Sequence, residues 1–381
     1  MKLLHISDLH LGKRINEFSM LEDQKYILRQ ILSLAETEQT DGVIIAGDIY
    51  DKPVPSAETV QTFDWFLTGL ADKGKQVFAV SGNHDSAERI AFGAQLMRGR
   101  CVYISPVYAG VTAPIALTDE YGELYIYLLP FIKPAVVRYV LEKEGEAELP
   151  KSYQEAVKLA VERMQVDSAK RNILVAHQFV TGAGRCESEE IAVGGLDNVD
   201  ADIFDRFDYV ALGHIHSPQW IMREAVRYCG TPLKYSFSEA EQEKSVTILE
   251  MGEKGRVEIS TVPLKPLRDM RKIRGTYLEV MSRPFYQGTN REDYVQITLT
   301  DEEDIPDGMQ KLRSVYPNLM RLVYDNRRTR QNQALETVPE VERKSELELF
   351  GEFYELQNNQ PMSSEQTEFV KQMIEEGRSK S

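Results

Sequence analysis

The sequence predicts an α/β fold: a two-sheet α/β/β/α sandwich, followed by a small α+β domain and a C-terminal helical pair. Three observations carry this prediction. Short apolar runs alternate with stretches of helical spacing, hairpin patterns are set among and after them, and the composition turns basic near Pro263 and Pro266.

Taken in order, LLHIS (3–7), DGVIIAGD (41–48), KQVFAVSGN (75–83), NILVAHQ (172–178) and DYVALGH (208–214) are the short, nearly continuous apolar runs of strands buried on both faces. EDQKYILRQILSLAE (22–36), SAETVQTFDWFLTGLAD (56–72) and YQEAVKLAVERMQVDSA (153–169) space their apolar residues as helices do, with Ser56 and Thr59 near the start of the second. VYAGVTAPIALTDEYGELYIYLLPF predicts a hairpin around Tyr121 and Gly122, and WIMREAVRYCGTP and SVTILEMGEKGRVEIST predict two more. These elements make a first domain of residues 1–265. Residues 266–330 form the small α+β domain, with TYLEV, YVQITLT and MRLVYD as strands and GMQKLRSVY as a helix. Residues 331–381 hold a polar linker and two amphipathic helices. Leu347, Phe350 and Tyr354 share one stripe; Phe369 with Met373 and Val370 with Ile374 pair at i, i+4.

Composition limits the function. With 42% hydrophobic and 28% charged residues, the 381-residue chain is an ordinary globular protein of two or three domains. MKLLHISDLH reads as neither a signal peptide nor an anchor, and no apolar run reaches the roughly 18 residues of a membrane span. The expected location is cytoplasmic, with no membrane partner. The 3 cysteines, Cys101, Cys186 and Cys229, offer neither a disulfide framework nor a CxxC knuckle and read as structural. A net charge of −15 argues against nucleic-acid binding by bulk electrostatics. The charge is uneven, however. LKPLRDMRKIRG (264–275) sets Lys265, Arg268, Arg271, Lys272 and Arg274 against Asp269 alone.

The histidines carry the chemistry. The chain has 6, and five of them sit at the C-terminal end of an apolar run. Open α/β sheets build their sites outside the carboxyl ends of strands, where packing histidines have no reason to collect. Asp8 and His10 in SDLH, Asp48 in GDIYD, Asn83 and His84 in GNHD, His177 in VAHQ, and His214 and His216 in GHIH are the pieces. In DxH and HxH, positions i and i+2 share one side of an extended chain and reach one place. Imidazoles and carboxylates with one amide suit Mn²⁺, Fe²⁺ or Zn²⁺, and the lack of thiolates argues against a structural zinc site. A carboxylate able to bridge, Asp48, allows two metals about 3.5–4 Å apart.

With these motifs the chain resembles the calcineurin-like metallophosphoesterases, whose pattern is DxH, GDxxD, GNHD, a separate His and GHxH. Within them it is similar to the nuclease subunits of bacterial SbcCD-type complexes. HISDLHLGK, SEEIAVGG (188–195), FDYVALGHIHSPQ (207–219), GTPLKYSFSEAEQEKSV (230–246) and PLRDMRKIRG (266–275) carry that likeness over nearly the whole chain.

The resemblance implies a Mn²⁺-dependent DNA nuclease, with 3′ to 5′ exonuclease and endonuclease activity, that processes DNA ends and hairpins in repair and recombination. It places one metal on Asp8, His10, Asp48 and His216 and the other on Asp48, Asn83, His177 and His214. Gly82 lets the strand turn sharply, and His84 faces the scissile phosphate as proton donor or charge stabiliser. Asp51 and Asp85 orient neighbouring ligands, while His5 is structural. The small domain caps the site, and its basic run contacts DNA. The tail helices dock on a coiled-coil, SbcC-type ATPase. Trp65, Phe66, Phe92 and Leu96 pair two copies as a homodimer within a heterotetramer, which is nucleoid-associated. The competing readings are a stand-alone phosphodiesterase on a small nucleotide, which has no use for a docking tail, and a non-catalytic scaffold, which has no use for an intact ligand set.

Overall fold

The computed structural model describes residues 1–189, 198–327, 329, 346–358 and 360–379. It divides into two compact units, Met1–Asp269 and Met270–Ser381.

The first unit is built on two six-stranded sheets. One runs Val257–Pro263, Ser245–Met251, Lys2–Ile6, Gly42–Ala46, Gln76–Val80, Val102–Ile104. The other runs Gln219–Ile221, Arg223–Tyr228, Tyr209–Gly213, Arg171–His177, Gly122–Leu129, Ile115–Asp119. The central strands of both are parallel, in register Val43↔Val77 and Val210↔Leu174. All three expected hairpins lie at the antiparallel edges.

Between the sheets, Leu3, Ile44, Phe78 and Val80 pack against Ile126, Ile173, Val175 and Tyr209. Alternate residues of the same strands, such as Leu174, Ala176, Val210 and Leu212, face outward under the helices Pro134–Glu144 and Tyr153–Glu162. That two-sided cover is why Gly42–Ala46 is apolar and buried at every position. The helices Leu21–Thr37 and Ala57–Asp72 bury Ile27, Ile31, Phe63, Phe66 and Leu70. Ser56 caps the second helix by accepting from the Thr59 amide.

Several expectations change. Phe66, expected at a dimer surface, is fully buried. It belongs to the core, where a truncation to Ala costs about 3–5 kcal/mol. Phe92 and Leu96 are 83% and 87% exposed, Phe92 between the short helical turns Ala87–Ile90 and Ala94–Met97 and Leu96 on the second of them. The helix expected over 153–169 stops at Glu162. Pro134–Glu144, which sequence reading passed over, is a helix with proline in its first turn and Gly145 in left-handed conformation at its end.

In the second unit, Met270–Gly275, Tyr294–Leu299 and Leu319–Tyr324 form a parallel sheet with Tyr294–Leu299 in the middle. Ile273, Val295, Ile297, Leu312, Tyr316 and Leu319 make its core. TYLEV, expected as a strand, is the helix Tyr277–Val280: Thr276 and Glu279 form a reciprocal capping box that starts the turn. The strand falls instead on the basic run. Further on, Glu346–Asn358 and Ser364–Ser379 are helices, joined by a Gln366 Nε2 to Tyr354 hydroxyl bond of 2.9 Å. Phe350, Phe369 and Met373 are exposed, and Leu347, Tyr354, Val370 and Ile374 are half-buried. Most of the polar linker, 330–345, and most of the SEEIAVGG run lie outside the described residues.

Candidate metal centre

The seven expected ligands, with His84, meet where the central strands of the two sheets end. Each strand leaves its sheet abruptly. Asp8, His10, Asp48 and His214 all have positive φ, of 52°, 43°, 47° and 102°. Non-glycine residues held there cost of order 1–3 kcal/mol each, strain that clusters at functional sites. Close packing leaves room for glycine only. A Cβ on Gly213 would stand 1.8 Å from the Ala46 carbonyl oxygen, and one on Gly82 would stand 2.1 Å from Asp48 Oδ1. Gly82 is outside the left-handed region. Its function is therefore clearance for Asp48 rather than the sharp turn expected of it.

The donor atoms converge in two groups. In one, His10 Nε2 lies 3.1 Å from His216 Nε2, and Asp8 is within reach of both imidazoles. In the other, Asn83 Oδ1 lies 3.0 Å from His177 Nε2 and 2.9 Å from His214 Nδ1. Asp48 Oδ2 stands between them, 3.7 Å from His10 Nε2 and 3.3 Å from His177 Nε2. Asp8 also groups with Asp48 and His177, and His84 groups with His10 and Asp48. His5 stays apart, its Nδ1 3.0 Å from the Tyr209 hydroxyl across the inter-sheet core.

Neighbouring groups aim the ligands. His177 Nδ1 donates to the Ala46 carbonyl at 2.9 Å, which turns Nε2 toward Asp48 and Asn83. Asp8 accepts from the His214 amide at 3.0 Å. Asp51 Oδ1 is 3.6 Å from His10 Nδ1 and 2.8 Å from Lys13 Nζ. Asp85 acts through the backbone instead. Its carboxylate accepts from the amides of Ile49, Tyr50 and Gly82, pinning the segments that carry Asp48 and Asn83 to one another. His84 donates its amide to Asp48 Oδ1 at 2.9 Å, and its Nδ1 lies 3.1 Å from the Asp51 carbonyl.

The electrostatics suit a cation. Burial holds His10 and His216 well below the usual imidazole range and His214 down to about 3, so all three are neutral and ready to ligate. Burial lifts Asp8 to about 7, with His177 opposing and Asp48 adding to the rise. Burial also opposes the charge of Asp48, but His177, His10 and His84 outweigh it and keep that carboxyl ionised. Burial disfavours a charged His177 too, yet Asp48 beside it pushes the ring up to about 9. The carboxylates thus draw positive charge into the cluster. A divalent cation fits the same need, and oxygen and imidazole donors with no thiolate fit Mn²⁺-like ions.

Ser188, Glu189, Tyr235 and Glu239 were not singled out by sequence reading. Glu189 Oε1 accepts from the His216 amide at 2.7 Å, and Tyr235 donates its hydroxyl to the Leu9 carbonyl at 2.5 Å. Their signal was present, since SEEIAVGG and GTPLKYSFSEAEQEKSV contain them, but neither run contains a ligand. The basic run is largely engaged within the protein. Arg268 pairs with Asp23 at 2.8 Å and Glu22 at 2.6 Å, Arg271 with Asp293 at 2.7 Å and Arg274 with Asp325 at 2.5 Å. Lys265 and Lys272 are exposed.

A two-sheet sandwich with carboxylate, amide and imidazole donors at its strand ends defines a class, the calcineurin-like phosphoesterases, and the family model of that description matches residues 1–218. A second family model, SbcD_C, described as a type 5 capsule protein repressor C-terminal domain, matches residues 266–358. The D subunit of the nuclease SbcCD of Staphylococcus epidermidis is 32% identical over 382 residues, covering 98% of this chain and 98% of that protein. Among solved structures, a dimetal phosphatase from Danio rerio is 12% identical over 70% of this chain and 99% of that one, with a TM-score of 0.41. TT1561 of Thermus thermophilus is 13% identical over 68% of this chain and 98% of that one, with a TM-score of 0.38. The chain belongs to the calcineurin-like phosphoesterases, and within them to the family of the SbcCD nuclease subunits.

Proposed function

We propose that this chain is the metal-dependent nuclease subunit of an SbcCD-type complex, hydrolysing DNA phosphodiester bonds with two divalent cations, preferentially Mn²⁺, as 3′ to 5′ exonuclease and endonuclease. The observation that carries the proposal is the place of Asp48 between the His10–His216 pair and the His177–His214–Asn83 group. Asp8, His10, Asp48 and His216 would hold one cation, and Asp48, Asn83, His177 and His214 the other. Cations held there would supply Lewis acidity that activates a water at neutral pH and a positive field for the phosphate oxygens.

The protein's own residues do the rest. Ala46 and Asp8 fix the ring of His177 and the backbone of His214 before substrate arrives, so no reorganisation is needed in the transition state. His84 Nδ1 donates a hydrogen bond to the Asp51 carbonyl, which leaves Nε2 for chemistry. There His84 donates a proton or a hydrogen bond to the leaving oxygen, or steadies the charge that develops in the transition state. Phe131, whose ring centroid lies 6.1 Å from that of His177 and 6.4 Å from that of His214, is an apolar wall beside them.

Further contacts extend the reading. Lys265, Lys272 and the exposed Arg274 contact DNA phosphates, while Arg268 and Arg271 also brace their own units. The exposed apolar groups of the tail, Phe350, Phe369 and Met373, support docking on an SbcC-type ATPase. Phe92 and Leu96 with Trp65 support an isologous homodimer. The test is cleavage of blunt and hairpin duplexes in Mn²⁺ against Mg²⁺, with and without the ATPase, for the whole chain and for one lacking residues 341–381. The truncated chain keeps activity on simple ends and does not bind the ATPase. Hydrolysis of small nucleotides with no cleavage of DNA in either metal contradicts the proposal.

A further inference from the structure

Behind His216, on the side away from the metal-facing atoms, lies a buried polar chain. His216 is 2% exposed and Glu239 0%. The Ser188 hydroxyl stands 2.7 Å from His216 Nδ1 and 2.6 Å from Glu239 Oε1. Glu239 Oε2 accepts from the Lys244 ammonium at 2.6 Å, and the same ammonium donates to the His216 carbonyl at 2.9 Å. The Tyr235 amide and the Ser236 hydroxyl add bonds of 3.3 Å and 3.2 Å to Oε1.

Counting protons decides the direction of each bond. A carboxylate paired with an ammonium can only accept. The single proton of Ser188 therefore goes to Glu239. With that proton committed, the Ser188 oxygen can only accept from His216, so the imidazole carries its proton on Nδ1. Nε2 is then a bare lone pair, and Nε2 is the nitrogen 3.1 Å from His10. The opposite tautomer would set two lone pairs against each other across 2.7 Å and leave Nδ1 of the buried His216 without a donor.

We propose that Ser188 and Glu239 are positioning residues for the metal centre: a hydroxyl and a carboxylate in series that fix the tautomer and ring direction of His216. The arrangement is a carboxylate–histidine pairing of the kind that tunes metal-binding imidazoles, with a serine hydroxyl inserted between the two groups. The inference rests on the reading of His216 as a ligand. Glu239 also binds Lys244, Tyr235 and Ser236, so an alternative in which it merely closes the 231–245 segment must be separated from it.

The experiment has three arms. Nitrogen-15 NMR of imidazole-labelled protein, prepared free of metal, reports the tautomer directly and needs no substitution; the expected result is His216 protonated on Nδ1. Calorimetric titration with Mn²⁺ compares Ser188→Ala and Ser188→Thr with the parent protein. The alanine variant should lose 10- to 100-fold in affinity with its metal-free melting temperature unchanged, and threonine should restore most of the loss. His216→Ala tests the ligand reading separately. A His216 protonated on Nε2, or Ser188→Ala binding Mn²⁺ as the parent does, overturns the relay. Parent-like binding by His216→Ala overturns the ligand assignment instead. A Ser188→Ala chain that loses affinity only because it melts early is the purely structural result and also counts against the relay.

Discussion

His10 Nε2 and His216 Nε2 face one another at 3.1 Å, although 206 residues separate them in sequence. His216 directs a lone pair there, so the contact requires a proton from His10 or a cation between the rings. His10 Nδ1 is buried, has no hydrogen-bond partner among the described residues and lies 3.6 Å from Asp51. A cation at the Nε2 atoms would let His10 carry its proton on Nδ1, toward that carboxylate.

Mn²⁺ should therefore stabilise the fold. At a hundredfold excess over Kd, one site adds about 2.7 kcal/mol, visible as a rise in melting temperature of several degrees. His216→Ala should lose at least half of that rise at equal Mn²⁺ and recover part of it as Mn²⁺ is increased. A melting curve that ignores Mn²⁺ in the parent protein contradicts the assignment.

His84 should behave differently from the ligands. His84→Ala is expected to retain metal and fold while losing roughly 10² to 10⁴ in cleavage rate, with no rescue by excess Mn²⁺. His214→Ala should bind metal weakly and regain activity as Mn²⁺ rises. Parallel titrations of bound metal and cleavage separate the two. The grouping of His84 with His10 and Asp48 makes this comparison informative, because an empty His84→Ala site would make His84 a ligand.

Gly213→Ala should be destabilising out of proportion to one methyl group. The added carbon would meet the Ala46 carbonyl oxygen at 1.8 Å and His177 Nδ1 at 2.7 Å, and the backbone of two packed sheets cannot step aside. The expected loss is about 1–3 kcal/mol or more, with weakened metal binding. Gly99→Ala, where no described atom lies within 4 Å, is the control and should stay within about 0.5 kcal/mol of the parent in urea unfolding.

Asp119 predicts an acid limb of stability remote from the site. Arg171 grips its carboxylate with bonds of 2.5 Å and 3.0 Å and holds it well below the usual carboxylate range. A depressed folded-state pKa means the stabilisation is present above the unfolded value of about 3.9 and is lost as pH falls through the folded one. Asp119→Asn should cost about 1.5–3 kcal/mol at pH 7, a difference that shrinks steadily below about pH 4. A difference constant down to pH 2 would contradict the pairing.

The strand-end histidines were readable because DxH, GNHD and GHIH each carry their ligands within a few residues, at the ends of runs whose apolar character marks them as buried strands. What joins those motifs was not readable. Ser188 and Glu239 are 51 residues apart, and neither lies in a pattern that names its partner. Gly82 looked like a turn residue, because sequence shows its own freedom and not the Asp48 oxygen beside it. TYLEV looked like a strand because Tyr277 and Val280 favour strands, whereas the deciding groups, Thr276 and Glu279, act on the backbone. The true edge strand, Met270–Gly275, was hidden by charge: Lys272 and Arg274 are exposed while Met270 and Ile273 are buried.

The most direct measurement is the number of Mn²⁺ ions bound per chain at equilibrium, by dialysis and elemental analysis, in the parent protein and in Asp48→Ala. Asp48 stands between both donor groups, so its loss should empty both sites. The parent should hold two ions; Asp48→Ala should hold none at the same free Mn²⁺ and should cleave no DNA. Two ions retained by Asp48→Ala would contradict the shared carboxylate and the dinuclear account built on it.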